Sequence, residues 1–388
     1  MKIRGVNFGG WLLMEGYILQ ARNRGESILK KEFAEHCGKK SLTEFEQTFR
    51  DNFIQEQDFK NVAAMGANTI RLPFNCRLVE KEPYKYSNEG LGYLEKALNL
   101  AEKSGLKIIL DLHAAPGAQN HDWHGDSDGR ALLWEKQDNR KRTYALWTMI
   151  ADSFKDHPAL LGYDVLNEAV IEKGKVGMLA DFYKNCINVI RSSDKEHEIF
   201  LEGNTWAQQV DFLKPLLDDG ITVSVHTYEP IYYTFNFTPF FKYPGTINEG
   251  FATGRWNKER LYKYLKPYRD FSKKHNTKIY VGEFGINWRG GFWGEEKWLD
   301  DILSVFDDFG FGYTYWTYKA IANAHFPDGI YQHIPGGKYV NRFGHEPGWE
   351  CYKHFWKKEK AEFEKFFSTK SYTPNKSIIN VLSRHFKR

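Results

Sequence analysis

The sequence predicts an α/β protein of the (β/α)8 TIM-barrel class, on three observations. Eight short apolar runs recur along the 388 residues. Amphipathic, helix-patterned segments separate them, as a parallel sheet covered on its outer face requires. Polar residues of catalytic type fall at the C-terminal ends of the runs, the end that forms the active-site mouth of such barrels.

The first run, "IRGVNF", ends at Asn7 and leads into a segment that carries Glu15. The helical pattern "FIQEQDFKNVAAMGA" (53–67) precedes the second run, "NTIRLPF", with Arg71. "LGYLEKALNLAEKSG" sets Leu91, Leu94, Ala97, Leu98 and Ala101 on one stripe, stops at Gly105, and precedes "LKIILDLH" with His113. A helix over 147–158 leads to "LLGYDVLNE", which finishes on Asn167 and Glu168. "EIFLEGN" finishes on Asn204 with Trp206 just beyond, and "TVSVHTY" ends on His226 and Tyr228. "KIYVGEFG" ends with Glu283, a helix over 298–310 follows, and "GYTYWTYK" supplies Trp316. Residues 351–367 read as the last barrel helix and 375–386 as a closing helix. The longest connections, 114–137, 229–257 and 319–349, all follow strands and so fall on one rim. An open doubly wound sheet is the rival, but "NFGGWL" is not the GxGxxG turn expected after its first strand.

No Pro/Gly/Ser-rich linker or charge block divides the chain, so residues 1–388 are expected to form a single catalytic barrel domain. A net charge of +4 gives no ground for a nucleic-acid partner. No apolar run has the roughly 18 residues a membrane span needs. Four cysteines without CxxC spacing argue against structural zinc or a disulfide framework. The chain opens directly into a strand pattern with no leader, which predicts a cytoplasmic protein; a secreted chain with its leader trimmed would read the same. A monomer without cofactor or metal is expected.

Two glutamates that end buried strands suit glycoside hydrolysis, one protonating the leaving oxygen and the other attacking the anomeric carbon. Their mutual repulsion is expected to raise the pKa of one of them. Arg71 is placed to keep Glu283 ionised, Tyr228 to donate to it, Asn167 to bond the sugar 2-hydroxyl, and Trp316 to offer the ring a flat floor.

The motifs "RLPF", "DLHAAPG", "VLNEA", "HTYEP", "GEFG" and "YWTYK", in this order, resemble those of glycoside hydrolase family five, the cellulase family of clan A. The resemblance implies a barrel that hydrolyses β-glycosides with retention and without metal, Glu168 being similar to the acid/base and Glu283 to the nucleophile. Arg71, His113, Asn167, His226, Tyr228 and Trp316 resemble the supporting cleavage-subsite set. "GVNFGGWLLMEGYI" and "HAAPGAQN" are similar to the exo-β-1,3-glucanase branch, which makes Glu15 a ligand of a terminal sugar. The loops 231–245 and 119–134 are expected to wall the cleft into a pocket, with Trp123 and Trp134 as sugar platforms. The expected activity is exo action on β-glucans or β-gluco-oligosaccharides; the alternatives are an endo-β-1,4-glucanase or a β-mannan hydrolase. A metal-dependent hydrolase using His121, Asp122, His124, Asp126 and Asp128, or a non-catalytic carbohydrate-binding barrel, is a remoter alternative.

Overall fold

The computed structural model describes residues 1–248, 250, 253–321, 324–334, 339 and 348–388. Eight strands close into a barrel: β1 (Arg4–Asn7), β2 (Thr69–Asn75), β3 (Lys107–Ala114), β4 (Leu160–Asp164), β5 (Glu198–Glu202), β6 (Ile221–His226), β7 (Lys278–Phe284) and β8 (Gly312–Tyr315). All neighbours are parallel, in the cyclic order β1-β8-β7-β6-β5-β4-β3-β2. These are the eight apolar runs. Along β3 the two-residue period sends Ile108, Leu110 and Leu112 to one face and Ile109, Asp111 and His113 to the other. Ile109, Phe200 and Tyr280, from alternate strands β3, β5 and β7, form a small apolar cluster separate from the main core, as one layer of a filled barrel does.

The longer helices are α1 (Glu26–Cys37), α2 (Lys39–Phe53), α3 (Glu56–Ala64), α4 (Asn88–Lys103), α5 (Gln137–Phe154), α6 (Val176–Ser193), α7 (Lys258–His275), α8 (Glu295–Phe309), α9 (Trp349–Phe367) and α10 (Lys376–Phe386). Helix α4 starts at Ser87, whose hydroxyl accepts from the Gly90 N–H, and the chain turns out of it at Gly105 with φ +70°. Helix α3 opens with a capping box between Gln55 and Asp58. Helix α5 begins well before residue 147, because its first turns are polar and give no apolar stripe to read. Between β5 and β6 the expected full helix is replaced by short helical turns, the longer one (Asp211–Leu216) containing Pro215, which has no N–H to continue a ladder.

The C-terminal helices exchange the parts the sequence suggests. Helix α10 lies beside α8, with Phe386 against the ring of Tyr313 of β8 and His385 Nδ1 2.7 Å from Asp307, which also bonds Arg4 of β1. It therefore serves as the last barrel helix. Helix α9 instead packs on α1 and α2, where Trp356 and Phe367 meet Phe33, Phe45 and Phe49. Its bulky aromatic stripe needs an equally aromatic partner, and α1 and α2 supply one. Among the described residues no helix is long and apolar enough to cross a membrane.

Phe45 is fully buried in this aromatic joint. Phe45→Ala is expected to cost about 3–5 kcal/mol, read as a lower urea midpoint; a change near zero would contradict the docking of α9 on α2.

Candidate active site

The mouth of the barrel is organised by one cation. Arg71 is wholly buried, and its Nε donates to Asp164 Oδ2 at 2.8 Å. Nη1 donates to Glu283 Oε1 at 2.8 Å and Asn7 Oδ1 at 3.2 Å; Nη2 donates to Asn167 Oδ1 at 2.9 Å and Glu202 Oε1 at 3.0 Å, with Asp111 Oδ2 at 3.1 Å. Burial opposes its charge, but Asp111, Asp164, Glu283 and Glu202 hold it protonated far above the ordinary range. Asp111 is pushed up to about 6 by burial, which outweighs Arg71 and His226; burial and the neighbouring Glu202 likewise raise Asp164. Asp111, Asp164 and Glu202 each offer an oxygen within 4.8 Å of the others. Arg71 contacts all three, so the guanidinium is the cation of that cluster.

Above this layer, Glu283 takes a second bond from the Tyr228 hydroxyl at 2.7 Å, and proximity to Glu283 adds to burial in keeping that phenol protonated. Glu168 ends the chain leaving β4 with φ +44°, a conformation that strains a residue with a side chain, and its N–H donates to Glu202 Oε2 at 2.6 Å. His226 Nδ1 lies 2.8 Å from Glu168 Oε1 and 3.7 Å from Glu283 Oε2, while its Nε2 faces Glu202 at 3.2 Å. Burial disfavours the imidazolium, but these three carboxylates raise His226 well above its ordinary value. Glu168, His226 and Glu283 each present an atom within 4.8 Å of the other two.

The expectation that repulsion raises one of these glutamates is corrected at Glu168. Burial works upward there, but the His226 hydrogen bond and the nearby His124 bring its pKa below the ordinary value. The carboxyl pushed up is Glu15, to about 8: burial dominates, and Glu283, Glu168 and Asp111 add to it. Its Oε1 lies 3.7 Å from His113 Nε2 and makes no hydrogen bond. Burial lowers His113 to about 3, so its ring is neutral. Nδ1–H then faces Asp111 Oδ2 at 2.7 Å, and Nε2 accepts from Asn167 Nδ2 at 3.3 Å.

Trp316 stacks on His113, centroids 5.4 Å apart and planes 9° from parallel, and its indole N–H donates to the Tyr17 hydroxyl. A Cβ on Gly9 would stand 2.7 Å from the Trp316 ring, so only glycine allows that approach. The cavity of about 760 Å³ in front of these groups is lined by Glu15, His113, Glu168, His226, Tyr228, Glu283 and Trp316. Trp123 and Trp206 line it too. Trp206 stands on three successive left-handed residues, Thr205, Trp206 and Ala207 (φ +53° to +59°), and its Nε1 donates to Asp122 Oδ2 at 2.8 Å. Phe326 closes one flank, within 5.2–5.6 Å of Tyr17, Trp123 and Phe235, so the loops after β1, β3, β6 and β8 meet there.

Several sequence assignments are redirected. Trp134 does not line the cavity; it is buried, packs on Phe182 and donates to the Gln119 carbonyl at 2.8 Å. Asn204 ties its loop to Ile171 through both side-chain atoms, and Asn7 and Arg71 act from below the cavity. Asn167 likewise does not line it. The acidic–histidine loop is dispersed: Asp126 holds Asn75, Arg77 and the Ser27 N–H, and Asp128 pairs with Arg130. Only Asp122 and His124 of that loop's five candidates face the cavity. Glu202, Asp111 and Asp164 join the site without being singled out by the strand-end pattern, although Glu202 also ends an apolar strand and the aspartates interrupt apolar runs. Tyr17 and Phe326 carry no such signal.

A profile of the cellulase family, glycosyl hydrolase family 5, matches residues 31–321. The chain belongs to glycosyl hydrolase family 5. It is a β-glycoside hydrolase. Among family relatives, endoglucanase C of Acetivibrio thermocellus is 28% identical over 345 residues, covering 81% of this chain and 90% of that protein. A beta-xylosidase of Phanerodontia chrysosporium is 28% identical over 334 residues, covering 82% and 67%. A probable glucan 1,3-beta-glucosidase A of Aspergillus fumigatus is 30% identical over 211 residues, 51% of this chain and 49% of that one. The crystal structure of a glycoside hydrolase superposes over 99% of both chains at 20% identity with a TM-score of 0.66. Endoglucanase Cel5A of Thermotoga maritima does so over 85% and 92% at 21% identity with a TM-score of 0.60. At such identities the structural likeness speaks to the fold.

Removing Arg71 leaves the buried carboxylates without their cation, a change worth about 3–5 kcal/mol or more. In Arg71→Met the raised pKa values of Asp111 and Asp164 climb further, so the native state keeps protons that the unfolded chain releases above about pH 4. Stability must then fall as pH rises from there through neutrality. The urea midpoint of Arg71→Met should drop further below wild type at about pH 7.5 than at about pH 5; a constant gap would contradict this charge layer.

Proposed function

We propose that this family 5 chain is a retaining, exo-acting β-glucosidase or β-glucanase in which Glu283 is the nucleophile and Glu168 the acid/base. One observation carries the mechanism. Carboxylate oxygens of Glu168 and Glu283 approach within 4.8 Å. That favours the roughly 5–5.5 Å carboxyl spacing of retaining enzymes over the 6.5–9.5 Å that accommodates a water in inverting ones. Glu283, held by Arg71 and Tyr228, attacks the anomeric carbon while Glu168 protonates the departing oxygen. The freed Glu168 carboxylate then takes a proton from water, which breaks the glycosyl-enzyme ester. Trp316 is the floor of the cleaved sugar, and Asn167, behind the cavity wall, links Arg71 to His113 and so fixes the ring on which Trp316 stacks.

Exo action is supported by the aromatic closure around Phe326 and by two buried polar atoms with no protein partner, Glu15 Oε1 and Trp123 Nε1, on residues that line the cavity. Hydroxyls of a terminal sugar would satisfy both, relieving an unmet cost of about 1–3 kcal/mol each. The similarity to a glucan 1,3-beta-glucosidase points to β-glucan, and that to an endoglucanase keeps internal cleavage as the second reading. In this reading the protein works as a cytoplasmic monomer, and its four buried cysteines suit a reducing compartment.

Laminari-, cello-, gentio- and manno-oligosaccharides sized over time test the substrate: stepwise monosaccharide release from a gluco-series is expected, whereas mid-chain products would favour endo cleavage. Glu283→Ala should lose turnover by about 10⁴-fold or more and regain it with azide, giving the α-glycosyl azide; a β product would reject Glu283 as nucleophile. Glu168→Ala should spare the first step for dinitrophenyl glycosides and slow phenyl glycosides by about 10²–10⁴-fold; equal loss on both would reject its acid role.

A further inference from the structure

Beyond the catalytic pair, the loop after β3 presents an imidazole that the mechanism above does not use. His124 is buried, its Nε2 3.5 Å from Glu168 Oε2 and 3.6 Å from Asp122 Oδ2. Asp122 is held in place by the Trp206 indole N–H. The two oxygens of Glu168 are thus addressed by different histidines: Oε1 by His226, Oε2 by His124. We propose that His124 is a positioning residue that holds the second oxygen of Glu168 and, as an imidazolium, sets the pH at which the acid/base carboxyl gives up its proton. The inference rests on the acid/base reading of Glu168.

The charged groups around His124 come from three elements. Asp122 shares its loop, Glu168 follows β4, Glu15 follows β1, and the neutral ring of His113 lies edge-on at 6.1 Å. Burial opposes a charge on His124, but Asp122, Glu168 and Glu15 together push it up to about 9. It is therefore a cation through neutral pH, and a cation beside a carboxyl favours the carboxylate. His226 acts on Oε1 and also faces Glu202 and Glu283, whereas His124 adds a second cation at Oε2, between Glu168 and Asp122. The gap of 3.5 Å is longer than a hydrogen bond and suits a contact that tightens when substrate fills the cavity.

The sign follows. Glu168 must carry its proton to cleave a bond with a poor leaving group, so the alkaline limb of kcat/KM for phenyl β-glucoside reports its ionisation. His124→Gln removes the cation and should move that limb upward by about one pH unit, with little change for dinitrophenyl β-glucoside, which needs no protonation. Loss of packing alone would lower kcat/KM without moving the limb. An unmoved or lowered limb overturns the proposal. If His124→Gln does not fold, His124→Asn serves instead: it also removes the cation and should move the limb upward, and an unmoved limb again overturns the proposal. Glu168→Ala separates the two levels. If that variant keeps the wild-type dependence on leaving group, the acid assignment has failed; if it loses it while the His124→Gln limb stays fixed, only this inference has.

Discussion

A guanidinium with no exposed surface, surrounded by carboxylates from β3, β4, β5 and β7, is the constraint on which the mouth of this barrel rests. Arg71 is bonded to Asp164, Glu202 and Glu283, and lies within 3.1 Å of Asp111. Each of those acids would be costly to bury alone, and the arginine costly without them. Closure of the parallel barrel brings these five side chains within reach of one another, and the fork of donors fixes their orientation. Asn7 and Asn167, bonded to the same guanidinium, are positioned as a by-product.

From that layer upward, burial and neighbours assign three histidines different states. His113, deep and facing Arg71, is neutral. His226, among three carboxylates, is cationic, and so is His124 at the opposite edge of Glu168. The same residue type thus supplies an acceptor, a clamp and a field. The repulsion expected between the two strand-end glutamates is absorbed elsewhere: imidazolium neighbours draw Glu168 down, and Glu15, without a partner, keeps its proton.

Strands were legible because a parallel barrel buries both faces of each one, leaving apolar runs whose polar ends stand out. That rule finds Glu168, His226 and Glu283 directly. It passes over Glu202 because Asn204 and Trp206, just beyond, look equally functional, and over Asp111 and Asp164 because an interior polar layer has no counterpart in a purely apolar strand. Trp134 and Trp123 share a loop and a residue type; which one faces the cavity depends on the turn at Gly125 and Asp126 and on the path of Phe326, neither encoded locally. The exchange between α9 and α10 arises in the same way. Both are amphipathic, and only the positions of Phe33, Phe45 and Phe49 in space decide which helix leaves the barrel wall.

The three left-handed residues under Trp206 have a consequence for adaptation. A side chain in that conformation costs about 1–2 kcal/mol relative to glycine, so Thr205 and Ala207 are reserves of foldedness waiting to be released. Selection for heat resistance would reach them early, since glycine or asparagine there relaxes the backbone at once. Glycine would keep the left-handed path that seats the indole on Asp122 while letting the segment sample other conformations, so sturdiness there would come with a less rigid brace.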